Sequence, residues 1–211
     1  MSGTVIVVLG AESTGKTTLC EAIVQRLQAG GVDAVMVPEW LRGFCDQAGR
    51  TPRVEEQLGI AAEQSRLIAR AADTHDVVIA DTSALMIAIY SEFVFGDRSL
   101  YPMAEAAHRQ ADLTLLTSLD LAWQADGHQR DGPHVREPVD DLIRQALQRM
   151  GVGYGVVAGQ GDTRAERGLS LVTHLLDESA RVRRSAGPST WRWVCERCDD
   201  GDCEQHWLPR S

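Results

Sequence analysis

Five short apolar runs punctuate the chain, each too short for a helix and none alternating strictly between polar and apolar residues. They are residues 4–9 (TVIVVL), 33–38 (DAVMVP), 77–81 (VVIAD), 112–117 (DLTLLT) and 154–158 (YGVVA). Apolar character sustained along a run marks strands buried on both faces, as in a parallel sheet. Between them, helical stretches are expected over residues 16–29, 53–74, 82–94, 102–110, 138–150 and 163–181. The longest, RVEEQLGIAAEQSRLIARAADTH, reads as one amphipathic helix. Gly30 and Gly31 stop the first helix. The alternation of strand and helix predicts an α/β domain, an open parallel sheet with helices on both faces.

The pattern breaks near the C-terminus. Residues 182–190 (VRRSAGPST) carry Gly187-Pro188, which ends any helix arriving from the N-terminal side. Beyond it, WRWVCERCDDGDCEQHWLPRS has a composition of its own. The expected organisation is a domain over 1–181, a linker over 182–190 and a tail over 191–211.

Composition narrows the function classes. A length of 211 residues suits one α/β domain with a small appendage. No apolar run approaches the ~20 residues of a bilayer span. The first run lacks the basic flank and small-residue cleavage site of a signal peptide. A soluble cytoplasmic protein without membrane contact is expected. The net charge of −9 argues against a general nucleic-acid-binding surface. Of the 21 basic residues, Lys16 alone is lysine. A compact ammonium there does work that a planar guanidinium would not.

Lys16 lies in the stretch GAESTGKT, residues 10–17, between the first strand and the first helix. The spacing G-x-x-x-x-G-K-[ST] in that context is a phosphate-binding loop, or P-loop. Its backbone N–H groups converge on phosphate oxygens, and the following helix adds its positive N-terminal end. The expected nucleotide contacts are Gly10, Glu12, Ser13, Thr14, Gly15, Lys16, Thr17 and Thr18. Lys16 would reach the β- and γ-phosphates of ATP, and the Thr17 hydroxyl would meet Mg²⁺.

Asp81 ends the third strand. It is expected to hold Mg²⁺ through water, the alternative being that it caps the helix starting at Ser83; Thr82 is a further cap candidate. Glu39 follows the second strand, at the strand tips where ligands gather in open sheets. There it would accept the proton of an attacking hydroxyl, orient a water in an ATPase, or remain a solvated loop carboxylate. The polar segment DLAWQADGHQRDGPHVREP, with Arg130 and Arg136, reads as a lid whose arginines neutralise the transferring phosphoryl group. Gly159 and Gly161, after the fifth strand, would permit close approach of an adenine ring.

Taken together, GAESTGKTTL, Glu39-Trp40, ADTSALMIAIYSEFVFGD and the W-x-x-D-G-x-x-R block (Trp123, Asp126, Gly127, Arg130) resemble the NadR-like P-loop kinase/ATPase family over roughly residues 3–175. The resemblance implies a P-loop NTPase fold with strand order 2-3-1-4-5, ATP and Mg²⁺ as cofactors, and phosphorylation of a ribosyl hydroxyl, with ribosylnicotinamide as the leading acceptor. Multi-domain members also carry an adenylyltransferase domain and in some cases a DNA-binding domain. This chain starts at the P-loop strand and is expected to have neither upstream. An aromatic acceptor would want a stacking partner, for which Trp40 and Trp123 are candidates.

The tail lies outside that resemblance. Cys195, Cys198, Cys203 and His206 supply four ligands within a short span, the composition of a closed structural zinc site. So short a segment cannot bury enough apolar area alone, and a metal would supply its folding free energy. Three activities stay open: a small-molecule kinase, an ATPase switch or scaffold whose zinc-knuckle-like tail docks a partner protein, and a pyridine-nucleotide sensor without turnover.

Overall fold

The computed structural model describes residues 2–124 and 132–185. Five parallel strands form one sheet: β1 (Thr4–Leu9), β2 (Ala34–Val37), β3 (Val77–Asp81), β4 (Leu113–Thr117) and β5 (Tyr154–Val157), in the order β2-β3-β1-β4-β5. This is the expected α/β fold and strand order. β1 lies at the centre, its Val8 opposite Asp81 on one side and Leu115 on the other. That register brings the carboxyl ends of β1, β3 and β4 together, where the loops of the site emerge.

Among the described residues seven α-helices accompany the strands: α1 (Lys16–Ala29), α2 (Trp40–Ala48), α3 (Gln57–Ala72), α4 (Ala84–Phe95), α5 (Tyr101–His108), α6 (Arg136–Met150) and, after β5, α7 (Gly161–Ser185). Side chains alternate across a strand, so β1 feeds two cores. Val5, Val7 and Leu9 join Ile60 and Ala61 of α3, residues 84–89 of α4, Ala104 of α5 and Val139, Ile143 and Leu147 of α6. Ile6 and Val8, pointing the other way, are fully buried, as are Cys20 and Ile23 of α1. Gly168 of α7 lets that helix approach α1 closely; a Cβ there would meet Leu19 and Ile23 at 2.9 and 3.0 Å. Burial of side chains of this size stabilises by about 1.5–3 kcal/mol each. α4 is apolar almost all round because α3, α5 and α6 all pack on it.

The observed elements depart from expectation in three places. Residues 40–48, read as loop, form α2. Leu41, Phe44 and Cys45 give it an apolar face against the core, and Gly49 at φ 67° closes it. Gly43 inside the helix obscured that pattern, since glycine weakens helices. The long helix expected over 53–74 begins instead as a 3-10 turn, Val54–Glu56, and becomes α-helical at Gln57. Glu56 sets this start, accepting the Arg53 N–H at 2.7 Å and both Arg50 Nη atoms at 2.7 Å. α7 runs through Ser185, four residues beyond the expected end at 181.

Packing divides the chain into two compact units, Met1–Thr173 and His174–Ser211. The sheet and all the contacts described below belong to the first. Among the described residues no helix is long and apolar enough to cross a membrane. Cys195, Cys198, Cys203 and His206 lie outside the described residues, as do Asp126, Gly127 and Arg130 of the expected lid.

Candidate functional site

The loop from Gly10 to Gly15 leaves β1 and enters α1 at Lys16. Its shape depends on two buried hydroxyl contacts. Thr117 Oγ1, at the end of β4, donates to Thr14 Oγ1 at 2.7 Å, and Thr14 Oγ1 donates to the Ala11 carbonyl at 2.8 Å. Gly10 sits against this pair, and a side chain there would collide with the Thr117 hydroxyl. Gly15, at φ 74°, precedes α1 in the left-handed region that glycine adopts without strain. Ser13 adopts φ 54°, and its Oγ accepts the Gln124 N–H at 2.8 Å, tying the loop to the segment after β4.

Lys16 Nζ reaches back over the loop to the Ala11 carbonyl at 3.2 Å. Thr17 Oγ1 donates to Asp81 Oδ2 at 2.5 Å. Glu12 and Thr14 are buried, whereas Thr18 faces solvent from the first turn of α1. Asp81 is 1% exposed, and its second oxygen, Oδ1, is buried with no hydrogen-bond partner. Burial pushes its carboxyl up; the Thr17 hydrogen bond and Lys16 pull against that, and Glu39 adds to it. A buried carboxylate with a spare oxygen beside a threonine hydroxyl suits a hard divalent cation such as Mg²⁺.

The cap of α4 is Ser83, whose Oγ accepts the Leu85 N–H at 3.3 Å. The expected caps, Asp81 and Thr82, do not serve. Asp81 faces Thr17, and Thr82 is held at φ 78° with its N–H on the Val8 carbonyl at 3.1 Å. Ser83 is backed by His108, whose Nδ1 lies 3.1 Å from Ser83 Oγ and whose Nε2 lies 3.0 Å from Thr114 Oγ1. Burial pushes the His108 imidazole down to about 4, so it is neutral in the fold near pH 7.

Beyond the loop a cavity opens between α2, α3 and α4. Its polar lining includes Glu12, Ser13, Lys16, Glu39, Arg42 and Thr82, and its apolar and aromatic lining Leu41, Cys45, Met86, Tyr90, Val94 and Phe95. Glu39 is the N-terminal flanking residue of α2, and its Oε2 accepts from Arg42 Nε at 2.9 Å. Gln64 of α3 sets the entry to α2, accepting the Trp40 N–H at 2.7 Å. Trp40 itself is 39% exposed and lines no wall of this cavity, nor does Trp123. The aromatic residues that do are Tyr90 and Phe95, which lie in the stretch ADTSALMIAIYSEFVFGD but were given no role from the sequence.

Arg136 also stands differently from expectation. It opens α6 as a buried residue, with Nη1 donating to the Leu121 carbonyl at 2.9 Å. Its Nε and Nη2 are buried with no hydrogen-bond partner. Leu121 in turn packs beside Gly15. Gly159 and Gly161, at φ 104° and 51°, make the turn between β5 and α7. Two residues missed in the sequence meet there: Asp120 and Arg164 pair at 2.7 Å, linking this turn to the exit of β4. Asp120 opens the segment expected as a lid but was given no role there, and 44 residues separate it from Arg164.

Comparison with known proteins agrees with this geometry. No curated protein matches the chain. Among solved structures, NadR in complex with NR superposes with a TM-score of 0.67 at 22% identity, covering 82% of this chain and 51% of that one. NadR in complex with NAD and AMP-PNP gives 0.64 at 18% identity, covering 83% and 50%. This chain spans about half the length of those NadR chains, with which it shares the fold. A family model described as an AAA domain matches residues 5–166, the stretch that holds the phosphate loop, Asp81 and the cavity wall, and the chain belongs to that family.

Proposed function

We propose that the protein is an ATP- and Mg²⁺-dependent phosphotransferase that moves the γ-phosphoryl group of ATP to a ribosyl hydroxyl, with ribosylnicotinamide as the leading acceptor. The observation that carries this reading is the cavity beyond the phosphate loop. A site built only for hydrolysis needs room for water, whereas this one continues from Lys16 and Glu39 to the aromatic wall of Tyr90 and Phe95. A planar ring fits against such a wall, and a hydroxyl then points inward. The solved NadR complexes, one with NR and one with NAD and AMP-PNP, support an acceptor and a nucleotide of this kind.

In this reading the loop amides and Lys16 hold the triphosphate, and Thr17 and Asp81 would hold Mg²⁺, whose charge would offset that of the phosphoryl oxygens. The acceptor oxygen forms a bond to the γ-phosphorus as the bridging bond to the β-phosphate breaks, and ADP leaves. Glu39 takes the hydroxyl proton. Asp81 is the lesser candidate for that role, because its Oδ2 is committed to Thr17. Arg136, with two buried N–H-bearing nitrogens in want of an acceptor, would meet phosphoryl oxygens. The sequence-based assignment of Arg130 to the same clamp, and of a structural zinc to the tail, stand as proposals from residue type alone.

A panel of nucleosides incubated with Mg-ATP tests the reading. A phosphorylated nucleoside with matching ADP release is expected, with ribosylnicotinamide the most active. Release of inorganic phosphate with no acceptor modified would replace the kinase reading with an ATPase.

A further inference from the structure

We propose that Arg164 is a positioning residue for the phosphate loop, holding the peptide between Thr14 and Gly15 so that the Gly15 N–H faces the bound anion. The inference rests on the nucleotide-binding reading above and adds to it a residue outside every motif that led there.

Arg164 stands in the first turn of α7 and is 4% exposed. Its Nη2 donates to the Thr14 carbonyl at 2.8 Å and to the Ser118 carbonyl at 3.3 Å. Its Nη1 donates to Asp120 Oδ1 at 2.7 Å and to the Gly159 carbonyl at 2.9 Å. Asp120 Oδ2 accepts the Gly159 N–H at 2.5 Å. One guanidinium thus joins the phosphate loop to the exits of β4 and β5. Burial alone would raise the Asp120 carboxyl, but hydrogen bonds from the Gly159 N–H and Arg164 hold it well below the usual carboxylate range.

The consequence for the loop follows from peptide geometry. The described chain has no cis peptide bonds, and in a trans peptide the C=O and N–H point in opposite directions. With the Thr14 carbonyl drawn to Arg164, the Gly15 N–H points away from it, at the head of α1 where helix N–H groups converge on an anion. Glycine visits positive and negative φ about equally. The peptide before Gly15 is accordingly the one most able to flip, and a flipped peptide would turn the Thr14 carbonyl toward the phosphates. Arg164 removes that alternative before the ligand arrives, so no ordering has to occur on binding.

The test uses the full chain, its Arg164→Ala and Arg164→Lys variants, and Mg-ATP titrated by calorimetry. Thermal melts report the folded fraction. Arg164→Ala is expected to weaken Mg-ATP binding about 10–100-fold, the usual effect of losing a group that orients a ligand-binding one. Arg164→Lys, which cannot span both carbonyls, is expected to weaken it about 10-fold. Millimolar methylguanidinium should restore affinity to Arg164→Ala and leave the parent unchanged. A purely structural role would lower the melting temperature while the folded fraction kept the parental Kd; that result in either folded variant overturns the proposal. If Arg164→Ala does not fold, Arg164→Lys decides by the same criterion. A parent chain that binds no Mg-ATP overturns the nucleotide-binding reading itself, a different result from parental binding that survives substitution.

Discussion

The two ends of the candidate site are made in different ways. The phosphate end is built from contiguous chain: six residues from Gly10 to Gly15, the head of α1, and one strand-end carboxylate that Val8 of β1 faces across the sheet. Its ligand-facing groups are largely backbone, and their directions follow from local φ values such as 74° at Gly15 and 54° at Ser13. The other end, where the proposed acceptor would sit, is built from side chains of α2, α3 and α4 that are far apart in the sequence. Backbone amides recognise what all nucleoside triphosphates share, whereas side-chain walls distinguish one acceptor from another. The first end is therefore expected to tolerate little change, and the second to set specificity.

Substitutions that separate the two ends sharpen this contrast. The largest effect is expected at the phosphate end: Lys16→Ala should lower turnover by about 10³-fold and eliminate measurable Mg-ATP uptake, read by product formation and calorimetry. Next comes the network behind α4. His108 binds a proton near 6.5 when unfolded and near 4 in the fold, so between those values the unfolded chain holds more protons. Its contribution is full above about pH 6.5 and falls away as pH drops toward 4, a loss on the order of 3 kcal/mol. Denaturant melts across that window should show the loss, and His108→Gln should flatten it. Third, Glu39→Gln should slow phosphoryl transfer about 10²-fold while leaving the Kd for Mg-ATP within twofold; a matching loss of ATP affinity would erase the distinction between the ends. The smallest effect is expected at the aromatic lining, where Tyr90→Ala should raise KM for the acceptor about 10-fold with little change in the KM for ATP. If both KM values rise together, the cavity is one site and the contrast fails.

The same contrast explains which parts of the molecule were legible from sequence. The strands, the P-loop and the placing of Thr17 and Asp81 at one metal site could be anticipated because apolar runs and a fixed loop spacing are local signals, whereas the strand order followed only from the family resemblance. α2 was hidden because Gly43 and the break at Pro38 imitate a loop, although Leu41, Phe44 and Cys45 carry the helical period. Tyr90 and Phe95 escaped because an almost wholly apolar helix does not disclose which side chains border a cavity. Trp40 was one candidate for stacking on its chemistry, yet with Gln64 holding the start of α2 it does not line the cavity. Asp120 and Arg164 could be found only in three dimensions, since their pairing depends on the sheet bringing β4 and β5 side by side.

Lys16 is half-buried over the loop, with Nζ on the Ala11 carbonyl, and it carries the only ε-amine of the chain. Acylating reagents that target primary amines therefore have a single side-chain destination, the spot where a triphosphate would sit. Labelling followed by peptide mass analysis becomes a direct occupancy meter, with each bound nucleotide registering as a molecule shielded from modification.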